Sequence, residues 1–408
     1  MEIAIRKKMP LGLNTGTRTS PLLVLGLLAF AALLSLGLPA RAQDEPFIVH
    51  DTKPVIMQGP YITSLSETGV TIVWLTDTPC HAKLVYGLKG ETLTQEADNA
   101  EHGLLPIGTL HAIHLSGLTP GRAYAYKAVA TRVVKMKPYW PEKGLAAESP
   151  ERSFTTFDRA KPSASFTAIA DTHEDNARVT DLLKAVDWPA ADFFVHLGDA
   201  FHSLESEDQL FGRWLGPAAK AVDGAKLLMF MRGNHETRGA FARRLFDYVP
   251  TPEGRYYYVR DHGPLHLIVL DTGEDKPDES NVYAQLNEFE AYRDQEFAWL
   301  ERHFATDKRA AEAPFRVVLL HQPNWGWTRD RGDQWTALAN KGKVDLVLGG
   351  HFHRLSVVQP GTQGNDFLGL ALAQDQIAKV EATLTELRVT IIAKDGSVVE
   401  SFTIKARR

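Results

Sequence analysis

The sequence predicts a small all-β sandwich followed by an α/β domain, and two patterns along the chain support this. From Pro54 to Thr156, short runs of alternating polar and apolar residues lie between turn signals, with no amphipathic helix among them. Runs at this spacing are typical of a β-sandwich. After Pro162, apolar β-rich runs alternate with helical stretches such as Glu288–Phe304. That alternation is typical of an α/β domain with buried strands.

The change of pattern places the domain boundary in a short linker, Asp158–Pro162. The sandwich then covers residues 44–157, and the α/β domain covers residues 163–408. Val70–Trp74 and Ala82–Tyr86 alternate faces and are expected as two separate strands of the sandwich. Trp74 is the expected centre of its core.

The first 42 residues have the pattern of a secretory signal. Arg6, Lys7 and Lys8 precede the apolar run Leu22–Leu38, which ends at Ala40-Arg41-Ala42. A basic start, an apolar core and an Ala-x-Ala site predict cleavage after Ala42 and a periplasmic or secreted protein. The alternative is an uncleaved anchor, because the run is near the lower limit for crossing a bilayer. We expect no membrane span after cleavage.

Composition excludes several other classes of protein. The chain has 45 basic and 50 acidic residues among 408, a net charge of −5. A nucleic-acid binder would carry a basic surface, so we expect no nucleic-acid binding. A single cysteine, Cys80, excludes an intrachain disulfide and a cysteine-based zinc cluster.

Five apolar runs of the α/β region each end in side chains that bind metals or transfer protons. In order, these are Asp171 and His173, Asp199, Asn234 and His235, His321, and His351 and His353. Ligands of α/β sheets bind beyond the carboxyl ends of the strands, so we expect these side chains to converge. A lone histidine is more often structural, and that interpretation applies to the histidines outside this set other than His202.

The residue types fit two adjacent cations. Imidazole and carboxylate together suit Zn, Fe, Mn or Co. In Asp-x-His and His-x-His, positions i and i+2 of an extended segment share a face. Asp199 is the only carboxylate of its motif, which makes it the candidate bridge. Two carboxylates against two divalent ions leave a net positive site, which should hold a phosphate dianion.

This ordered motif set resembles the calcineurin-like metallophosphoesterase superfamily. The preceding sandwich, with Gly59-Pro60-Tyr61, Trp74 and Ser153–Thr156, resembles the fibronectin-III-like N-terminal domain of purple acid phosphatases. The resemblance implies a four-layer αββα catalytic domain, two transition-metal ions (Fe, Zn or Mn) and hydrolysis of phosphoric esters.

The resemblance also implies a role for each motif residue. It assigns the first metal to Asp171, His173, Asp199 and His353. It assigns the second metal to Asp199, Asn234, His321 and His351. His235 would face the substrate as an acid or as a stabiliser of negative charge.

The chain departs from the purple enzymes at two positions. His173 stands where they have Gly, and His202 stands where they have a Tyr ligand. The changes compensate if His173 supplies the lost ligand, and they put a ferric ion in doubt. His202 is then a ligand, a residue behind the ligands or a surface residue, and we favour the last two.

The predicted function is hydrolysis of phosphate monoesters, on small molecules or polymers, by attack of a metal-bound hydroxide. The alternatives are a phosphodiesterase acting on nucleotides or lipid head groups, and a non-catalytic surface-binding protein. Arg232 is a candidate phosphate clamp or an ordinary ion-pair residue. Trp325 is a candidate pocket wall that stacks on an aromatic leaving group, or a core residue.

Overall fold

A computed structural model describes residues 48–326 and 332–407. The predicted signal peptide lies outside the described residues. From Ile48 onward the chain forms one compact unit. The predicted division at residues 158–162 stays a prediction.

Residues 48–157 contain an antiparallel sheet of seven strands. The strands are β1 (Ile56–Thr63), β2 (Gly69–Leu88), β3 (Gln95–Ala97), β4 (Gly108–Ser116), β5 (Ala123–Lys135), β6 (Glu142–Glu148) and β7 (Arg152–Thr155). The two strands expected at 70–74 and 82–86 are one strand, β2. Its first half pairs with β1 and β4, and its second half pairs with β3 and β5.

A register shift between Leu75 and Cys80 explains how β2 serves two sets of partners. The sequence pattern predicts two strands because the alternation of polar and apolar residues stops at this irregularity. In the structure the strand continues through it. Trp74 is fully buried in the shared core, as predicted. A fibronectin-III-like topology stays a prediction.

The rest of the chain alternates strands and helices. The strands are β8 (Ser163–Ile169), β9 (Phe193–His196), β10 (Leu228–Phe230), β11 (Tyr258–His262), β12 (Leu265–Val269), β13 (Phe315–Leu319), β14 (Leu346–Gly349), β15 (Ser356–Val358), β16 (Leu368–Ala371), β17 (Gln376–Thr383), β18 (Glu386–Ala393) and β19 (Val398–Lys405). The α-helices are α1 (Asn176–Ala185), α2 (Glu207–Leu210), α3 (Gly216–Val222), α4 (Leu245–Tyr248), α5 (Phe289–Thr306), α6 (Lys308–Glu312) and α7 (Gly332–Lys341).

These strands form two six-stranded sheets. The first has the order β10-β9-β8-β17-β18-β19, and the second has the order β11-β12-β13-β14-β16-β15. Strands β8, β9 and β10 are parallel to one another, as are β12, β13, β14 and β16. The carboxyl ends of the strands in each parallel group therefore lie at one edge of their sheet.

Alternation along the strands shows how the layers stack. Phe166 of β8 and Val317 of β13 belong to one buried cluster between the sheets. Ile169 of β8 instead packs in the cluster of α1 and α3, and Val318 of β13 packs in the cluster of α5 and α7. Successive strand residues point to opposite faces. The predicted order of helices, two sheets and helices is therefore confirmed.

None of the helices in the described ranges is long and apolar enough to span a bilayer.

Candidate metal centre

The predicted ligands lie in the loops that directly follow five strands. Strands β8, β9 and β10 of the first sheet lead to Asp171, Asp199 and Asn234, and β13 and β14 of the second sheet lead to His321 and His351. The facing sheets bring these loops together. The structure therefore places all seven predicted ligands at one site, although their binding of metal stays a prediction.

Many of these residues have a strained backbone. Five of the seven have φ between 43° and 73°, namely Asp171, His173, Asp199, His351 and His353. Left-handed backbone is uncommon for residues other than glycine and persists where the surroundings impose it. Such strain is concentrated at functional sites.

Two glycines allow the loops to approach the carboxylates closely. A Cβ on Gly233 would lie 2.2 Å from Asp199 Oδ1, and one on Gly350 would lie 2.4 Å from Asp171 Oδ2. Both distances are far below van der Waals contact. These glycines explain why Gly precedes Asn234 and His351 in their motifs.

The first group of donors contains Asp171, His173, Asp199 and His353, whose ligand atoms lie within 4.8 Å of one another. His173 Nε2 is 3.0 Å from His353 Nε2 and 4.0 Å from both Asp171 Oδ1 and Asp199 Oδ2. His173 Nδ1 donates to the Phe201 carbonyl at 3.1 Å. Its Nε2 therefore presents a lone pair to the group.

The second group contains Asp199, His321 and His351, again within 4.8 Å. His321 Nδ1 donates to the Leu197 carbonyl at 2.8 Å, which leaves a lone pair on Nε2. That nitrogen faces Asp199 Oδ2 at 3.0 Å and Asn234 Oδ1 at 3.1 Å. Asp199 belongs to both groups, as expected of a bridging carboxylate.

The donor set fits metal cations. At His321, three hydrogen-bond acceptors face one another inside the protein, and only a cation or an added proton relieves that arrangement. Asp171 and Asp199 are 0% and 1% exposed. Buried charges are paired or coordinate metals. The mixture of imidazole and carboxylate suits a transition metal.

The protonation of the buried groups indicates the same need for positive charge. Burial raises the pKa of Asp171 to about 7, because the carboxylate loses its water. Burial by itself would lower the pKa of His321, but the adjacent Asp199 carboxylate raises it to about 10. A proton on His321 thus occupies the position in which a cation would meet the same acceptors.

His235 and His202 lie beside these groups. His235 Nδ1 donates to the His202 carbonyl at 2.7 Å, and its Nε2 is 3.9 Å from Asp199 Oδ2. The ring of His202 stacks on His173, with ring centroids 5.0 Å apart. His173, His202 and His235 form a third group of potential ligands. His202 is therefore exposed but in contact with the site.

Glu236 is the functional residue that sequence reasoning missed. It is fully buried, and its carboxylate accepts hydrogen bonds from the backbone N–H groups of Gly233, Asp199, Ala200 and Phe201 at 2.7–3.2 Å. It joins the loop after β9 to the loop after β10. Its place in Arg-Gly-Asn-His-Glu was visible, but nothing in a sequence shows four backbone donors converging.

Arg232 does not have the free guanidinium expected of a phosphate clamp. It forms an ion pair with Asp271, which is 1% exposed, and its guanidinium lies 4.2 Å from the ring centre of Tyr256. The ion pair is what the alternative interpretation expects, and the role of phosphate clamp stays a prediction. The sequence could not identify Asp271 as its partner, because the two are 39 residues apart.

Trp325 does not form a pocket wall. It is 5% exposed and stacks on Trp335 in the core, with Nε1 donating to Thr336 Oγ1 at 3.0 Å. Its ring is therefore not available to a substrate. Core packing, the other interpretation of this residue, describes it.

Comparisons with known proteins agree with this geometry. Residues 164–355, which contain all the predicted ligands, match the calcineurin-like phosphoesterase family. A purple acid phosphatase from yellow lupin (Lupinus luteus) seeds is 15% identical with a TM-score of 0.64, over 86% of this chain and 74% of that one. PhoD is 11% identical with a TM-score of 0.60, over 85% and 89%.

No curated protein sequence matches the chain. At these low identities the two solved structures show a common fold, and the family match adds the chemistry. This chain carries a calcineurin-like phosphoesterase domain at residues 164–355 and is a metal-dependent phosphoester hydrolase.

Proposed function

We propose that this protein is an exported phosphomonoesterase with a two-metal site. The observation that carries the proposal is the position of Asp199, which belongs to two separate groups of donors. One carboxylate shared by two groups is what a pair of adjacent cations requires. Bound ions would lower the pKa of a water nucleophile and offset the charge of the phosphoryl group.

Charge at the site favours monoesters over diesters. Asp171 and Asp199 are the carboxylates among the proposed ligands, and the other five are neutral amide or imidazole groups. Two divalent cations would leave the site net positive by about two charges, since each carboxylate contributes one negative charge. A positive site attracts a monoester dianion more strongly than a diester monoanion.

His235 is the proposed acid of the reaction. The His202 carbonyl holds its Nδ1–H, so the ring orientation is fixed and Nε2 points toward the site. Its side chain is 24% exposed, so substrate can reach it. A protonated Nε2 can donate its proton to the leaving alcohol.

The substrate specificity can be tested with matched chromogenic esters. After metal reconstitution, we expect a larger kcat/KM for 4-nitrophenyl phosphate than for bis(4-nitrophenyl) phosphate. The opposite ratio would identify a phosphodiesterase. No turnover of either ester by metal-loaded protein would favour the surface-binding alternative.

Export rests on the N-terminal pattern alone, with cleavage proposed after Ala42. N-terminal sequencing of the protein from the periplasm or the medium should begin at Gln43. A membrane-bound protein that retains the apolar run would show an anchor instead.

A further inference from the structure

A cavity of about 490 Å³ lies against the segment that carries Asn234 and His235. Arg232 and Thr237, at the two ends of that segment, both line it. Thr237 Oγ1 also donates to the Asn234 carbonyl at 2.8 Å. Sites for small molecules have volumes of roughly 300–1,000 Å³. The cavity is therefore large enough for a ligand, and it adjoins a segment that bears two residues of the proposed site.

Four aromatic side chains line the cavity. Phe246 and Tyr256 meet edge to face, with ring centroids 5.3 Å apart, and Phe289 and Tyr292 do so at 6.4 Å. All four rings are partly exposed. Rings in such a cavity offer faces and edges on which a planar group can stack.

Arg232 holds one of these rings in place. Its guanidinium lies 4.2 Å from the ring centre of Tyr256 and 5.4 Å from that of Phe289. Asp271 fixes the guanidinium from the other side and neutralises its charge. Tyr256 is therefore oriented before any ligand arrives, which reduces the entropy cost of binding.

The charges around the cavity do not select an anion. Arg232 is paired with Asp271, and Arg255 is paired with Glu253. The lining also holds an exposed cation, Arg243, whose Nη2 donates to the Leu286 carbonyl at 3.4 Å, and an exposed anion, Glu288. The charges around the cavity therefore offset one another, and a flat uncharged ring would gain stacking on the aromatic side chains.

We propose that this cavity binds the planar aromatic part of the alcohol released from the substrate, either an aryl group or a nucleobase. The inference rests on the phosphomonoesterase function proposed above and names its substrate class. In the reaction, water oxygen bonds to phosphorus, the bond from phosphorus to the ester oxygen breaks, and the alcohol leaves with a proton. The cavity takes no part in these steps and holds the leaving group.

The test compares three monoesters across four proteins. The esters are 1-naphthyl phosphate, adenosine 5′-monophosphate and glycerol 2-phosphate. The proteins are the wild type, Tyr256→Leu, Phe246→Leu and the control Tyr139→Leu. The control removes a ring that is 81% exposed and does not line the cavity. Comparing each variant with the wild type on the same ester cancels the intrinsic reactivity of that ester.

We expect the two cavity variants to lose about 10-fold or more in kcat/KM for the aromatic esters, as for a lost stacking contact. Their kcat/KM for glycerol 2-phosphate should stay within about twofold, as should all values for Tyr139→Leu. Loss on the naphthyl ester alone would identify an aryl group, and loss on the adenosine ester alone a nucleobase. Equal losses on all three esters, or none, would overturn the proposal.

Binding of 1-naphthol, followed by ligand-detected NMR, separates this inference from the proposed function. The wild type should bind 1-naphthol, and Tyr256→Leu and Phe246→Leu should bind it less, whether or not any ester is hydrolysed. If 1-naphthol binds as expected but no ester is hydrolysed, the phosphomonoesterase function is wrong and the assignment of the cavity still holds. Unchanged naphthol binding in both variants would overturn the cavity assignment. Thermal unfolding of each variant shows that it is folded.

Discussion

Asp199 is the residue at which the two groups of donors meet. Its Oδ2 lies 3.0 Å from His321 Nε2 and 4.0 Å from His173 Nε2, while Oδ1 accepts from the His235 backbone N–H at 3.0 Å. Asp171, by contrast, lies in the first group alone. Both carboxylates are buried, so the difference between them is the number of donor groups to which each belongs.

The variants Asp199→Asn and Asp171→Asn should therefore differ in metal content. Asp199→Asn should lose ions from both positions, because an amide has one oxygen and no charge to share. Asp171→Asn should lose mainly the first ion. Elemental analysis of the two purified proteins measures this, and equal retention would show that Asp199 does not bridge.

His235→Ala should keep its metals and lose turnover. The imidazole lies beside the donor groups and is held by the His202 carbonyl, so its removal leaves the assigned ligands in place. We expect kcat to fall by about 10²–10⁴-fold, as for loss of a general acid. His102→Ala, at an exposed position, is the matched control. Metal loss in His235→Ala would instead make His235 a ligand.

His202 decides the expected colour of the protein. Its imidazole is at the sequence position where the purple acid phosphatases have a Tyr ligand, and the ring stacks on His173. If His173 supplies the lost ligand, its neutral nitrogen stabilises a trivalent ion less than an anionic phenolate does. An oxidised, iron-loaded sample should therefore lack an intense visible band. A purple sample in absorption spectroscopy would mean that another tyrosine reaches the metal.

Among the elements, the loops after β9 and β10 are held to each other by one side chain. Glu236 lies in the second loop and accepts hydrogen bonds from three successive backbone N–H groups of the first, those of Asp199, Ala200 and Phe201. Both loops carry proposed ligands. The relative position of Asp199 and Asn234 therefore depends on Glu236.

Glu236→Gln should destabilise the protein by about 2–3 kcal/mol, because the amide nitrogen would face backbone donors that it cannot satisfy. The same change should lower metal content, since Asp199 moves with its loop. Chemical denaturation and elemental analysis measure the two effects. Glu91→Gln, at an exposed position, is the control. A stable Glu236→Gln with full metal content would contradict the positioning role.

At the scale of the molecule, the proposed metal centre takes its ligands from loops of both sheets. Three of the five ligand-bearing strands belong to the first sheet and two belong to the second. Ions held between them would link the sheets, and a ligand that binds only the folded state stabilises it.

The intact protein should therefore bind close to two transition-metal ions per chain. A chelator should remove both activity and part of the thermal stability, and added metal should restore them. Elemental analysis and melting curves with and without chelator test this. One ion or none in active protein would contradict the two-metal assignment.

Much of the site was predictable from local sequence. Apolar runs that end in Asp-x-His, Gly-Asn-His-Glu or Gly-His-x-His predict strand ends that bear ligands, because strand and turn signals are local. The pair Asp395-Gly396, a combination that favours tight hairpin turns, likewise lies between β18 and β19.

Only the tertiary structure decided which side chains meet across long separations. Asp271 forms an ion pair with Arg232, which is 39 residues away in the sequence. Glu236 accepts hydrogen bonds from backbone N–H groups of a different loop, and Trp335 stacks on Trp325. It also decided that β2 is one strand with two sets of partners. Local pattern gives the type and the end of each element. Which elements pack together depends on burial of the whole chain, and that determines whether a polar or aromatic residue faces a substrate or the core.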